Sequence, residues 1–429
     1  MAVTCTAVCV GLAALRTTGN NVLQKANRTR KKEIMHREKN GKKHDKLQIV
    51  DEALDAEYLT DDLKHLAALV CPTVPGKKAD RIEAIVTAFA KDPKAIFAGL
   101  SPLAQNAVAE TVHTWDGVFD SGMFRAKYSA SPWVVDGSGR HTPSRDLLSL
   151  FIPGGRIPDD LLKTLRSFVP APAEDTIKYA ENGPDEECTI RETSRAALAN
   201  AAMILALVAE KKIKVSTKTG RPTAATVKTI GELLYEGDWY NDIEPMQSFA
   251  WPLLLQGSGL VKTDGTCLEL NQAGLKALKK DIAGGIKAIL NKWEKSSRID
   301  EYSRVTAIKG QQSSGGRTMT SPAKRRPMIN RLLRDLSPGK WINVNELARL
   351  TQSKAAYSFE MTNYDWKLYF LDQQYGHIDY HNTWSLLQFR YLLIYLFEYC
   401  ATLGTRSSNS CSGRLSNVPP PLSRSARQP

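Results

Sequence analysis

GLVKTDGTCLELNQAGLKALKK, residues 259–280, decides how the second half of the chain is read. Asp264-Gly265 tolerates the positive φ values that a two-residue type I′ hairpin loop demands, so the stretch predicts two short antiparallel strands. Leu260 and Val261 supply the apolar content of the first, and Cys267, Leu268 and Leu270 that of the second. A lone hairpin is marginal in water and has to lean on a larger body. Asn271-Gln272-Ala273-Gly274 then leads into a basic helix that runs through Lys280.

The residues upstream say what that body is. RETSRAALANAAMILALVAEKK predicts a long helix from Thr189 to Lys211, IKVST a short strand and TKTGRP a basic turn. TAATVKTIGELL follows as a helix capped by Thr223, and PMQSFAWPLLLQGSG as an apolar helix around Phe249 to Leu255. Helix, strand, helix, helix, hairpin is the order of a winged helix-turn-helix, so the hairpin is expected to be its wing. Asp264-Gly265 would be the tip, with Lys262 the side chain that meets a phosphate backbone.

A second pass of the same theme starts near Lys324, where AKRRPMINRLLRDLSPGKWINVNELARLTQ reads as helix, stop, extended WINV and a helix from Asn345 to Thr351. Aromatic-rich sequence from Tyr357 to Trp384 separates it from the apolar helix FRYLLIYLFEYCATL. The expected fold class is mainly α with small β-hairpins, a helical N-terminal region preceding tandem winged units. The expected divisions are a basic arm at 1–50, disordered or a mis-assigned start, a helical hairpin at 51–98, a helical middle at 99–170 and a Pro-rich acidic linker at 171–188. Winged unit 1 at 189–305, a Gly/Ser-rich linker at 306–325, an interrupted winged unit 2 at 326–404 and a disordered tail at 405–429 follow. Met35 offers an alternative translation start, and the tail reads either as a frameshifted or truncated end or as native low-complexity sequence.

Composition narrows the partners. Lys and Arg outnumber Asp and Glu by 58 to 45, a net charge of +13, which favours a polyanion such as nucleic acid. The seven scattered cysteines form no CxxC pairs, so neither a disulfide framework nor a zinc ribbon is expected, and a reducing, cytoplasmic, nucleoid-associated setting fits. No run approaches roughly eighteen consecutive apolar residues, so no membrane partner is expected. MAVTCTAVCVGLAALR lacks a basic segment ahead of its apolar stretch, against a secretory signal.

In the N-terminal region, TDDLKHLAALVCPTVPGKKADRIEAIVTAF predicts two amphipathic helices around a short extended loop, with Thr60 as a cap. This stretch resembles the SAP motif, a helix-loop-helix module that engages duplex DNA. The resemblance would place Lys77, Lys78 and Arg81 at a helix start, where backbone amides also attract phosphate. Between the later helices SPLAQNAVAETVH, RDLLSLF and PDDLLKTLRSF, the segment FRAKYSASPWVVDGSGRHTPSR reads as a loop.

No phosphate-loop, dinucleotide or metalloprotease motif occurs, and no cofactor is expected. His377 and His381 lack a carboxylate or thiol to complete a metal set, and Asp61-Asp62 and Asp159-Asp160 sit where helix starts favour negative charge. The expected nucleic-acid contacts are Lys212, Lys214, Lys218 and Arg221 around the strand and turn, Thr223, Thr226 and Lys228 on the following helix, and Lys262 in the wing. Lys324, Arg325 and Arg326, closing the basic linker, join them. Trp239, Trp251, Trp293 and Trp341 are read as core residues rather than base-stacking platforms.

Residues 190–404 as a whole, through LNKWEKSSRIDEYSRVTAIKGQ, SPGKWINVNELARL and FRYLLIYLFEYCATLG, resemble uncharacterised bacterial proteins with tandem winged-helix units related to helicase-associated regions of the XPB type. That resemblance implies a non-enzymatic protein engaging duplex DNA in repair, transcription or phage defence, with any helicase motor on a separate chain. The alternative is an interaction scaffold or accessory subunit that grips a helicase or nuclease through the aromatic section.

Overall fold

A computed structural model describes residues 7–9, 50–133, 146–181, 188–238, 245–297, 300–305, 307–313, 316–363, 368–370, 384–405 and 407–411. These residues are mainly helical and divide into two compact units, one built from 50–176 and the other essentially from 177 onward with 7–9.

The first unit is helical. Its elements are α1 (Val50–Glu57), α2 (Thr60–Val70), α3 (Lys78–Lys91), α4 (Pro93–Ala98), α5 (Pro102–His113), α6 (Ser121–Tyr128), α7 (Leu148–Phe151) and α8 (Asp159–Arg166). Local chemistry sets their starts: Asp92, Ser101 and Asp120 accept from the amides of Ala95, Ala104 and Met123 at 2.9, 3.2 and 2.8 Å, and Pro93 and Pro102 open the first turns of α4 and α5. The Asp120 cap turns Phe124 to Tyr128 into a helix where a loop is expected from sequence. On α2 the cap is Leu59, whose amide donates to Asp62 at 3.2 Å, and Thr60 is the first helical residue. Leu54, Leu63, Leu66, Ile85 and Val108 fill the core with Phe151, whose ring meets Phe89 edge-on at 5.1 Å. The buried Glu110 carboxylate is satisfied by the Lys127 ammonium at 2.5 Å and the Tyr128 hydroxyl at 3.0 Å.

The second unit contains α9 (Thr193–Ala209), α10 (Ala224–Leu233), α11 (Gln247–Ser258), α12 (Gln272–Lys280), α13 (Ile282–Lys295), α14 (Pro322–Asp335) and α15 (Val344–Ser353). A last helical run, 384–400, is an α-turn at Arg390–Leu393 between two π-helical segments, Trp384–Phe389 and Ile394–Cys400. Strands β1 (Ala7–Cys9), β2 (Cys188–Arg191), β8 (Trp341–Asn343) and β10 (Ser407–Cys411) form an antiparallel sheet in the order β2-β10-β1-β8. Ala7–Cys9 and Ser407–Cys411 are therefore strands, although the arm and the tail read as unstructured. Likewise Thr189 belongs to β2, and the long helix starts at Thr193.

The largest departure from expectation concerns the tandem arrangement. One hydrophobic core runs from Ala197 to Leu403 and includes side chains from both expected winged units. Residues 306–325, read as a flexible linker, place Ile308 and Met319 in that core, each 3% exposed. They also form short pairings, β5 (Ile308–Lys309) with β9 (Tyr369–Phe370) and β6 (Gln312–Ser313) with β7 (Gly316–Arg317). Burying two apolar side chains outweighs the Gly/Ser content around them. Downstream of Thr176, the acidic linker is also held: the amide of Lys178 donates to Glu346 at 3.0 Å, and the Tyr179 hydroxyl accepts from the amide of Ser337 at 2.7 Å.

Two arginines organise this core. Arg325 grips Asp300 with two bonds, at 3.1 and 2.6 Å, and lies 4.7 Å from the Tyr391 ring centre. Arg326, fully buried, bonds Glu301 through Nε at 2.7 Å and donates to the carbonyls of Trp293 and Ser296. Its guanidinium also stacks at 4.7 Å on Trp293, which in turn stacks on Tyr395 at 4.9 Å. Tyr391 donates to the second oxygen of Glu301 at 3.1 Å, completing a buried polar network. Burial opposes the Arg326 charge, yet Glu301 and the neighbouring tyrosines hold its pKa above the ordinary value.

Replacing Arg326 with Met should destabilise the second unit by about 3–5 kcal/mol, because Glu301 is left charged and buried. Adding Glu301→Gln should recover part of that loss in urea unfolding. Burial also pushes the hydroxyls of Tyr302, Tyr391 and Tyr395 above their ordinary pKa, and that of Tyr58 to about 12. Their stabilisation is complete below the unfolded value near 10 and is lost as pH rises through the folded values. A titration followed at the phenolate absorbance band should show these groups ionising late and together with loss of helical circular dichroism.

Candidate nucleic-acid interface

The predicted hairpin is present as β3 (Val261–Asp264) paired with β4 (Cys267–Leu270). Asp264 pairs with Cys267, so the two-residue loop is Gly265-Thr266 and not Asp264-Gly265. Only Gly265 has positive φ, +55°, where a type I′ turn needs it twice. The hairpin does not stand alone. Leu268 donates to the Ile213 carbonyl at 3.0 Å and Val215 to the Thr266 carbonyl at 2.7 Å, which adds residues 213–215 to the free edge of β4. The chain then doubles back through a turn in which Gly220 takes φ +68° and Val215 pairs with Pro222.

Strand alternation sorts these residues onto two faces. Ile213, Val215, Val261 and Leu268 enter the core, while Lys214, Lys262, Asp264, Cys267 and Glu269 share the other face. Lys211 reaches Glu269 at 2.5 Å and Asp264 at 4.0 Å, and Lys262 reaches Glu269 at 3.4 Å. The hydrogen bonds from Lys211 and Lys262 hold the Glu269 carboxyl below its usual range, and Glu269 holds the Lys211 ammonium above its own. Lys211 and Lys262 therefore face two carboxylates, and these four charges cancel on the hairpin. Lys212 and Lys228 also have acidic neighbours, Glu210 at 2.7 Å and Glu232 at 3.9 Å. Exposed pairs of this kind contribute little and open when a stronger anion competes.

The edge next to the hairpin is different. Lys214, Lys218 and Arg221 are exposed with no carboxylate partner among the described residues, the Arg221 guanidinium donating to the Ser303 hydroxyl at 3.4 Å. Thr223 is exposed, and its hydroxyl caps α10 by accepting from the amide of Thr226 at 3.3 Å. Thr226 cannot read a base: it is 3% exposed and exchanges bonds of 3.0 Å with the amide and carbonyl of Lys214. The exposed N-terminal side chains of α10 are Ala224 and Ala225, which carry no groups for base edges. Helix α11 is buried along nearly its whole length, with Trp251, Leu254 and Leu255 at 0% exposure, and its N-terminal amides are taken up by the Asp238 carboxylate at 2.8 to 3.0 Å.

Three arginines expected at phosphates are committed inside the protein. Arg81 staples the α2–α3 loop, donating to the carbonyls of Pro75 and Thr60 at 2.7 Å each. Arg325 and Arg326 hold Asp300 and Glu301. Lys78 pairs with Asp55 at 2.8 Å, which leaves Lys77 and Lys324 exposed and without an acidic partner among the described residues. Trp251 and Trp293 are core residues, while His377, His381 and Trp239 lie outside the described residues. Among the described residues no group of His, Cys, Asp and Glu could hold a metal ion, and no helix is long and apolar enough to cross a membrane. Lys276, Lys279, Lys280, Lys287 and Lys295, all exposed on α12 and α13, are not among the expected contacts, although the i, i+3, i+4 spacing of the first three marks one helix face. The chain matches no protein-family model, no curated protein and no solved structure.

Helix α12 is seated against the hairpin at Gly274, where an added Cβ would stand 2.2 Å from the Leu260 carbonyl oxygen. Backbone cannot yield there as a flexible side chain can. Gly274→Ala should cost about 1–3 kcal/mol in urea unfolding through overpacking.

Proposed function

We propose that the chain is a non-enzymatic protein that binds duplex DNA through phosphate contacts and does not read base sequence. The observation that carries this reading is the edge formed by Lys214, Lys218 and Arg221, three exposed cations without acidic partners, in a chain of net charge +13. The order α9, strand 213–215, α10, α11 and hairpin, with β4 bonded to residues 213–215, supports a winged-helix-like reading of this half. Two features argue against insertion into a groove: α11 is buried, and the exposed start of α10 offers only alanines beside the capping Thr223. Phosphate contacts position a protein on the duplex without carrying sequence information, and this edge is suited to that task.

Fluorescence anisotropy with two labelled duplexes of unrelated sequence tests the reading. The affinities should agree within a few-fold and fall steeply with salt. Lys218→Gln with Arg221→Gln should reduce the slope of log K against log salt by about 2, since each lost phosphate contact removes about 0.9. Absence of binding at low salt, or a double variant indistinguishable from the parent, would refute it. Strong preference for one duplex would overturn the claim that the chain does not read base sequence.

A further inference from the structure

We infer that the lysine face of α12 and α13 is a second phosphate-binding surface, engaging the same duplex as the edge at Lys214, Lys218 and Arg221. This rests on the DNA-binding reading. Lys276, Lys279 and Lys280 stand at i, i+3 and i+4, on one side of α12, opposite the buried Gly274 and Ala277. One residue, Asp281, joins the helices, and its carboxylate is occupied as the cap of α13, accepting from the amide of Gly284 at 2.7 Å. Gly285 brings α13 close to α12, since a Cβ there would lie 2.9 Å from that of Ala277. On α13, Lys287 and Lys295 point away from the buried side formed by Gly285, Ile286, Ile289 and Trp293.

A solvated surface accounts for some of these lysines. Lys279, Lys280 and Lys295 lie in last helical turns, where cations complement the helix dipole. Lys276 and Lys287 have no such role. Lys276 stands within one turn of two like charges, an arrangement that weakens a helix, and it forms no ion pair with an acid among the described residues. On the wing, by contrast, Lys211 and Lys262 both have carboxylates within 4.0 Å. An unrelieved basic face contiguous in sequence with the wing is what a polyanion would neutralise.

A nucleic-acid backbone fits better than an anionic lipid surface. A membrane-surface helix inserts an apolar face, but the apolar sides of α12 and α13 are turned into the core, and no large exposed hydrophobic residue lies on either helix.

The full chain carrying Lys276→Gln, Lys279→Gln, Lys280→Gln and Lys287→Gln should bind a labelled duplex at least roughly tenfold more weakly near 0.1 M salt, with a salt slope smaller by about 3 to 4. Circular dichroism checks that it is folded. Independently of any substitution, Lys276 and Lys287 of the unmodified chain should become several-fold less reactive to an acetylating reagent when duplex is added. Unchanged affinity of the folded variant, or unchanged reactivity at both lysines, overturns this inference while leaving the edge at Lys218 and Arg221 standing. No duplex binding by the parent chain overturns both. Binding to phosphatidylserine vesicles in preference to duplex, lost in the variant, overturns it in favour of a lipid surface.

Discussion

Arg325 and Arg326 have no access to water, and the shape of the second unit depends on what they hold. Asp300 and Glu301 sit in a short turn between α13 and the segment that leads to α14, so the two ion pairs fasten that turn to the first turns of α14. Through Trp293, Tyr391 and Tyr395 the same guanidinium groups tie the end of α13 to the C-terminal helical run. Two buried charges are expensive to desolvate, and the network tolerates them because almost every donor has an acceptor and each carboxylate is paired. Such an arrangement gives specificity: a slip of α14 by one residue would break the match of each arginine with its own carboxylate.

That constraint also explains why the expected tandem units do not separate. Two winged units would each need a core and a linker free to move between them. Here the would-be linker carries Ile308 and Met319 into the interior, and Thr320 accepts from Arg325 at 3.1 Å. Once Arg325 is anchored to Asp300, both ends of the segment between them are fixed.

How much of this was readable follows from the range of the interactions involved. The hairpin was legible because Asp-Gly next to alternating apolar residues is local chemistry, and the caps at Ser101 and Thr223 are local in the same way. The loop register was misplaced by one residue because pairing across the strands, together with the bond from Val215 to Thr266, fixes it. LysArgArg at 324–326 reads as a phosphate-binding cluster, and only carboxylates 25 residues earlier reveal that two of the three are interior. Thr226 misled for a similar reason, since its hydroxyl bridges back to Lys214, 12 residues away. The basic turn at Lys218 and Arg221 was legible, whereas the lysines of α12 and α13 stood out only once their neighbours proved to be free of acids.

Net charge is therefore an incomplete guide to a binding surface. The excess of 13 positive charges belongs to the whole chain, but a phosphate responds to the cations within about a Debye length, near 10 Å at 0.1 M salt. A lysine beside a carboxylate presents almost no field at that range, and a buried arginine presents none that an external anion can approach. Of the cations expected at phosphates, subtracting both kinds leaves Lys77, Lys324 and the edge of Lys214, Lys218 and Arg221, to which the exposed lysines of α12 and α13 are added. The edge and the two helices are joined through one hairpin, with β4 bonded to residues 213–215 on one side and leading through Asn271 into α12 on the other. The near-neutral hairpin thus has a structural role: it holds two regions of uncompensated charge in a fixed relation, which a single flexible basic loop could not do.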